Sequence, residues 1–276
     1  MQDEVSFRLA GGAQPLILLT VRAGGAGPFE FILDTGAGTS LITPELARQL
    51  NVAETAHKDG VGAGGRVRVA LGRLASLEVG AARVEDLEVA ITDELQRIGL
   101  AVGAKIDGDV GYNFLKNFRV TIDYARYMLR LDQATEGELE SGAPARARVK
   151  FRIAHPAKPL VLIEALVNGA GPFQFALDTG TSTTLISGEL AQGFSLQSTS
   201  VPDMTGAGGS VQAAVGMLET LAIENAAQRD VQVMVSDVLT MLGGAIGARL
   251  DGIIGYNYLK EFKVGIDYQR EMLTLE

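Results

Sequence analysis

The chain contains no cysteine and only two histidines in 276 residues. Without cysteine there is no disulfide, no thiolate nucleophile and no Cys-ligated metal. His57 and His155 lie at unrelated positions and neither has a partner at ligand spacing, so a surface or turn role is favoured over metal binding. No apolar stretch approaches the roughly 18 to 20 residues of a membrane-spanning helix. Basic residues are the minority: 24 Lys and Arg stand against 33 Asp and Glu, a net charge of -9. Long-range repulsion then argues against nucleic acid or an anionic membrane as the partner. The glycine cluster Gly24-Gly25-Ala26-Gly27 precedes a strand instead of opening a helix, so it lacks the context of a dinucleotide or phosphate loop. No elbow motif supports a Ser-His-Asp triad.

What the chain does contain is a long internal repeat. GPFEFILDTGAGTSLITPELA, from Gly27, matches GPFQFALDTGTSTTLISGELA, from Gly171, at 14 of 21 positions without a gap. DGDVGYNFLKNFRVTIDYARYMLRL, from Asp107, matches DGIIGYNYLKEFKVGIDYQREMLTL, from Asp251, at 16 of 25 positions and the same offset of 144. Two copies at so long a period indicate one duplicated module, since a solenoid needs a shorter period and at least three copies. Each half is large enough to bury a core. Between the copies lies a polar, charged segment with Gly and Pro and no apolar period. The expected organisation is an N-terminal lobe at 1–132, a linker at 133–146 and a C-terminal lobe at 147–276.

Short runs rich in Val, Ile, Leu and Phe, separated by Gly or polar turns, predict strands over 5–10, 16–22, 28–34, 66–71, 74–79, 84–91, 118–124 and 127–131, with counterparts in the second half. Thr43-Pro44-Glu45 reads as an N-cap, an N1 proline and an early acid, and Ser187 opens the matching turn. Further short helices are predicted at 113–118 and 93–104. The fold class is all-β or nearly so.

Three aspartate pairs keep the offset. Asp123 and Asp267 end an alternating strand, where an acid faces solvent or ties a turn. Asp107 and Asp251 open Asp-Gly turn dipeptides, and the same structural reading applies. Asp34 and Asp178 differ. Each ends an apolar strand and is followed by Thr-Gly and a turn of small residues, an arrangement that carries a carboxylate to the edge of the core. There Gly36 and Gly180 let backbone come close, and the Thr35 and Thr179 hydroxyls can brace a neighbour. One Asp-Thr-Gly alone is most simply a turn, whereas two in register suggest a catalytic pair.

These residues resemble the aspartic proteases, and within them the bacterial retropepsin-like type, here as two fused copies. The resemblance covers nearly the whole chain. It is carried by Ile32-Leu33-Asp34-Thr35-Gly36 and Ala176-Leu177-Asp178-Thr179-Gly180, by the apolar-Gly motifs Val110-Gly111 and Ile253-Ile254-Gly255, and by the glycine-rich segments Gly60–Gly65 and Thr205–Gly209. It implies a bilobal β-barrel body of pepsin-like plan, with a cleft between two pseudo-symmetric lobes and one aspartate from each at its floor. It implies an endopeptidase without metal or cofactor, in which Asp34 and Asp178 share a proton and hold a water, one acting as base and the other donating to the scissile carbonyl. Two such close carboxylates cannot both ionise cheaply. Thr35 and Thr179 would cross-brace the loops. Two flaps, at Gly62, Ala63, Gly64 and at Gly206, Ala207, Gly208, would close over an extended peptide or unfolded protein substrate, although glycines there also suit an ordinary hairpin turn.

The halves depart from each other at defined places. Asp109 puts a charge beside the apolar-Gly motif where the second half has Ile253. Gly38 stands where the second half has Ser182, so Ser182 is expected to hydrogen-bond the outer oxygen of Asp178 with no equivalent for Asp34. No tyrosine lies near either flap segment. The alternative reading is a catalytically silent peptide-binding module on the same fold. A monomer with an internal pseudo-dimer is expected, because a short linker raises the effective concentration of the second lobe; a domain-exchanged dimer is the competing arrangement. The opening MQDEVSF has neither a basic n-region nor an apolar h-region, and a lone Met before Gln-Asp-Glu fits a mature exported product given a start codon. The expectation is a periplasmic or secreted protein.

Overall fold

The structure is a computed structural model describing residues 4–62, 65–133, 145–156, 158–206 and 209–276. Eleven of the fourteen residues of the expected linker, 134–144, therefore lie outside it, as do Ala63, Gly64, Ala207 and Gly208 of the expected flaps. The described chain is mostly strand, with six short helices, arranged as two sheet-rich lobes.

In the first lobe the apolar strand Ala26–Leu33, which ends at Asp34, runs parallel to Gly108–Val110 with Leu33 opposite Val110. In the second, Ala170–Leu177 runs parallel to Gly252–Ile254 with Leu177 opposite Ile254. Each three-residue strand is fully buried, which explains the apolar character of Gly252–Ile254, whereas Gly108–Val110 carries Asp109 at its centre. Both therefore deliver their aspartates to the same place relative to the apolar-Gly motif.

A further sheet joins the lobes. Strand Phe118–Asp123 pairs antiparallel with Lys263–Asp267, Thr121 facing Gly265 and Val120 facing Ile266. Arg119 pairs with Asp267, and their repeat equivalents Lys263 and Asp123 pair likewise, so the pseudo-twofold axis passes through the Thr121–Gly265 pair. Outer strands Glu4–Ala10 and Ala147–Lys150 extend this sheet at its two sides. Aromatic rings cross the boundary in reciprocal edge-to-face pairs, Tyr112 with Tyr268 and Tyr124 with Tyr256. One apolar core runs through both halves and includes Phe31, Leu33, Phe175, Leu177, Val120 and Ile266. Burial of that size makes the halves one folding body, since stabilisation scales with apolar area removed from water.

The element boundaries differ from the pattern reading at identifiable places. The expected break between 71 and 74 is absent, and Gly65–Val79 is one strand. Gly72 is not a turn residue but a gap: a Cβ there would lie 2.6 Å from Val52 and 3.1 Å from the Ala53 carbonyl, so the loop after helix Pro44–Gln49 occupies its space. Strand Ala56–Gly62 was not expected, because AHKDGVG lacks apolar alternation; it is an edge strand held by its hairpin partner, from Ala56 opposite Leu71 to Gly62 opposite Gly65. Helices occur at Glu94–Val102 and Tyr112–Leu115, close to the predicted ranges. Thr43 and Ser187 both cap as their sequences suggest, accepting from the N–H of Leu46 and Leu190 respectively.

Asp107 and Asp251 do more than open turns. Each buried carboxyl accepts the backbone N–H of the residue it faces on the apolar strand, Glu30 and Gln174, and pairs with Lys105 or Arg249. Asp123 and Asp267 tie the turns that follow them, through the N–H groups of Arg126 and of Gln269 and Arg270. Asp267 is buried at 3% exposure, so it ties its turn without facing solvent.

Candidate active site

Asp34 and Asp178 meet across the lobe boundary. A Cβ built on Gly36 would lie 2.6 Å from Cγ of Asp178, and one on Gly180 would lie 2.6 Å from Cγ of Asp34. The glycine of each Asp-Thr-Gly is therefore the floor on which the other half's carboxyl rests, and no side chain fits at either position. Both aspartates keep a part-exposed face although protein surrounds them closely.

The threonines lock this approach. Thr35 Oγ1 donates to the Leu177 carbonyl at 3.2 Å and accepts the N–H of Thr179 at 3.0 Å. Thr179 Oγ1 donates to the Leu33 carbonyl at 2.8 Å and accepts the N–H of Thr35 at 3.1 Å. Both threonines are 1% exposed. Four buried hydrogen bonds thus tie the loops to each other, each hydroxyl serving as donor and acceptor at once.

Behind the loops stands a second repeated network that the sequence reading did not identify. Asn113 Oδ1 accepts the N–H of Ser40 at 2.8 Å and its hydroxyl at 2.9 Å, Ser40 Oγ accepts the N–H of Gly111, and Asn113 Nδ2 donates to the Glu88 carbonyl. Asn257, Thr184, Gly255 and the Gln232 carbonyl repeat every contact. The signal for it in the sequence is Gly-Tyr-Asn, which recurs at the same offset. Gly111 and Gly255 must be glycine, because a Cβ would meet the Ala37 or Thr181 carbonyl at 2.8 Å.

The hydrogen bonds to the two carboxyls are unequal. Asp34 Oδ1 accepts the N–H groups of Gly36 (2.8 Å) and Ala37 (3.0 Å). Asp178 Oδ1 accepts the N–H of Gly180 at 2.8 Å, and its Oδ2 accepts the hydroxyl of Thr181 at 3.0 Å. The hydroxyl at the outer oxygen thus belongs to Thr181 and not to Ser182, which corrects the expectation by one residue. Its repeat equivalent is Ala37, which has no hydroxyl, so the expected inequality exists but is carried by the Ala37 and Thr181 positions. Gly38 has a packing role instead, since a Cβ there would lie 2.8 Å from Pro159 of the opposite lobe.

Burial, then the neighbouring Asp178, then Asp109 push Asp34 well above the usual carboxylate range, against the pull of the Gly36 and Ala37 N–H groups. Burial also raises Asp178, but the Gly180 N–H, the Thr181 hydroxyl and Asp34 itself oppose the rise. Asp109, 1% exposed, is pushed up to about 8 by burial, with the Leu41 N–H opposing and Asp178 adding to the shift. The carboxyls titrate as a set.

Of the expected flap residues, Gly62 and Gly206 close described hairpins, facing Gly65 and Gly209. Helix Glu94–Val102 lies against strand Ser198–Gly206 of the other lobe, and helix Val238–Ile246 lies against Ala56–Gly62. Each hairpin thus reaches across to the other lobe's helix. Among the described residues there is no cluster of three or more His, Asp or Glu side chains suited to a metal, and no helix long and apolar enough to cross a membrane.

Two all-β lobes, each lending one Asp-Thr-Gly loop to a shared carboxyl pair, define the bilobal aspartic-protease fold. A family model described as aspartyl protease matches residues 19–114 and again residues 163–258, ranges that start 144 residues apart as the repeat does. The chain belongs to the aspartyl protease family, as two fused retropepsin-like repeats. No curated protein matches it.

Proposed function

We propose that the protein is an endopeptidase that hydrolyses peptide bonds with a water held between Asp34 and Asp178. The observation that carries this reading is the reciprocal seat of the two carboxyls, each with its Cγ 2.6 Å from the Cβ position of the opposite half's glycine. Such proximity in a poorly solvated site leaves the pair one shared proton at working pH. Asp178, with a hydroxyl donor on its outer oxygen, is the better-stabilised anion; Asp34, whose outer oxygen has no such donor, holds the proton.

The steps follow from that assignment. Asp178 takes a proton from the water as the water oxygen bonds to the scissile carbonyl carbon, and Asp34 gives its proton to the carbonyl oxygen. The resulting gem-diol returns a hydroxyl proton to Asp34 as it collapses, while Asp178 passes its own proton to the leaving amine, so the carbon–nitrogen bond breaks and the starting protonation is restored. The residues demand no metal or cofactor for this chemistry. The hairpins 56–71 and 198–216 act as two flaps over an extended peptide, a role supported by their reach to the opposite lobe's helix. The linker at 133–146 keeps both lobes in one working monomer.

The test is cleavage of an unfolded protein between pH 3 and 8, comparing the wild type with Asp34→Asn and Asp178→Asn, with and without a statine-type transition-state mimic. Cleavage abolished by each substitution and by the mimic is the expected result. Absence of cleavage at every pH, with the mimic still raising the melting temperature, would replace this reading with a silent peptide-binding module.

A further inference from the structure

Asp109 breaks the pseudo-symmetry of the site. The repeat places Ile253 at the corresponding position, where it packs in an apolar cluster with Leu185, Leu239 and Leu250. The matching cluster of the first lobe, with Leu18, Ile32 and Leu95, has a carboxyl at its border instead. Asp109 lies in register with Ile32, two residues before Asp34 on the adjacent parallel strand. It is 1% exposed, and its Oδ1 accepts the N–H of Leu41 at 2.8 Å. A buried carboxyl without a cation is costly to ionise, and an isoleucine at the same place in the other lobe shows that the fold does not need one.

Among the described residues, the charged groups around Asp109 offer it no cation. From the loop after its neighbouring strand comes Asp34, and from the other lobe Asp178. On the helix above, Glu94 is paired with Arg97. On the neighbouring strand Glu30 is paired with Arg8, and on its own strand's approach Asp107 is paired with Lys105. Strand Leu41–Ile42 contributes only a backbone N–H. Three carboxyls therefore share one poorly solvated region, none with an ion pair among the described residues, and only protons can balance them.

We propose that Asp109 is a positioning residue of the aspartate pair: as a third carboxyl beside Asp34, it raises the pH at which the pair gives up its shared proton. The proposal rests on the reading of Asp34 and Asp178 as the catalytic pair. Over the acidic range Asp109 is itself protonated and nearly silent. As pH rises its proton passes to solvent, and the new anion makes loss of the Asp34 proton harder. The monoanionic pair then persists to higher pH than it would in a site with isoleucine on both sides.

Asp109→Asn keeps an acceptor for the Leu41 N–H at the same volume and cannot ionise; Asp109→Ile copies the other lobe. In both, the basic limb of the pH profile of kcat/KM is expected to move down by about one unit, the scale at which coupled carboxyls separate, while the acid limb stays. A profile that is only scaled, with both limbs in place, overturns the proposal. Carboxyl-carbon NMR of the protein with 13Cγ-labelled aspartate reads the same coupling without turnover. The Asp34 midpoint should fall in both variants, and an unchanged midpoint would overturn the proposal even in an active enzyme. A falling midpoint in a protein that cleaves nothing would uphold the role of Asp109 and sink the peptidase reading instead.

Discussion

Thr35 and Thr179 hold each other's backbone: each accepts the other's N–H and donates to the carbonyl before the other's aspartate. The relationship makes the site a property of both lobes at once. Neither loop can shift without breaking hydrogen bonds that originate in its partner, so the carboxyl separation is set by buried backbone and not by flexible side chains.

Replacing Thr35 by Val preserves shape but removes the hydroxyl, leaving the Thr179 N–H and the Leu177 carbonyl buried without it. Each orphaned group costs about 1–3 kcal/mol, so a loss of roughly 2–6 kcal/mol is expected in urea unfolding. Thr35→Ser, which retains the oxygen, should lose less than half as much. Equal losses in the two variants would mean that the methyl contact, and not the hydrogen bonds, holds the loops.

The glycines offer a sharper separation of stability from activity. In Gly36→Ala the new methyl would have to displace the Asp178 carboxyl, and in Gly180→Ala the Asp34 carboxyl, since each starts 2.6 Å from the carboxyl carbon. Movement of a reacting group by about 1 Å can cost on the order of 100-fold in rate. Both variants should therefore lose at least that in kcat/KM while still unfolding cooperatively. Near wild-type turnover in either would show that the pair does not work from this geometry.

The repeat made both Asp-Thr-Gly loops and the all-β class readable from the sequence, because these depend on local pattern and on identity at a fixed offset; the threonine cross-brace came with the family resemblance. Less was readable where tertiary packing decides. Gly72 looks like a turn until Val52 is seen filling its space, and strand Ala56–Gly62 carries no alternation because it is an edge. The hydroxyl at Asp178 was assigned one residue late, to Ser182, because the direction of a side chain in a tight loop follows from its dihedral angles and not from its spacing. Asn113 and Asn257 were overlooked because uncharged residues repeat for many reasons, and only their contacts to Ser40 and Thr184 show which reason applies.

Thr181 should set the acid limb of the pH profile. Its hydroxyl stabilises the ionised form of Asp178, and a hydrogen bond to a charged group is worth about 1.5–3 kcal/mol, which corresponds to one pKa unit or more. Thr181→Ala should raise the pKa of Asp178 and move the acid limb upward by about one unit. Ser182→Ala should leave it in place. Ala37→Thr, which gives Asp34 the same donor, should narrow the difference between the two acids. Movement with Ser182→Ala and none with Thr181→Ala would reverse the assignment of the outer hydroxyl.

Asp109 also ties stability to pH. Its carboxyl is held at about 8 in the fold, against an ordinary value of 3.8. Below pH 3.8 it is protonated in both folded and unfolded chains, so nothing is lost. Between about 4 and 8 the unfolded chain has released this proton and the folded chain has not, so stability falls as pH rises, and above about 8 the contribution is gone. The slope from one such group is about 1.4 kcal/mol per pH unit. Asp109→Asn has no proton to release in either state, and comparison with the wild type cancels the contributions of acids outside the coupled set of Asp34, Asp109 and Asp178. The variant's stability relative to wild type, measured by urea unfolding at intervals from pH 4 to 8, should therefore rise steadily across that range and level off at its upper end. A constant difference would mean that Asp109 is ionised in the folded protein, as in the unfolded chain, throughout that range.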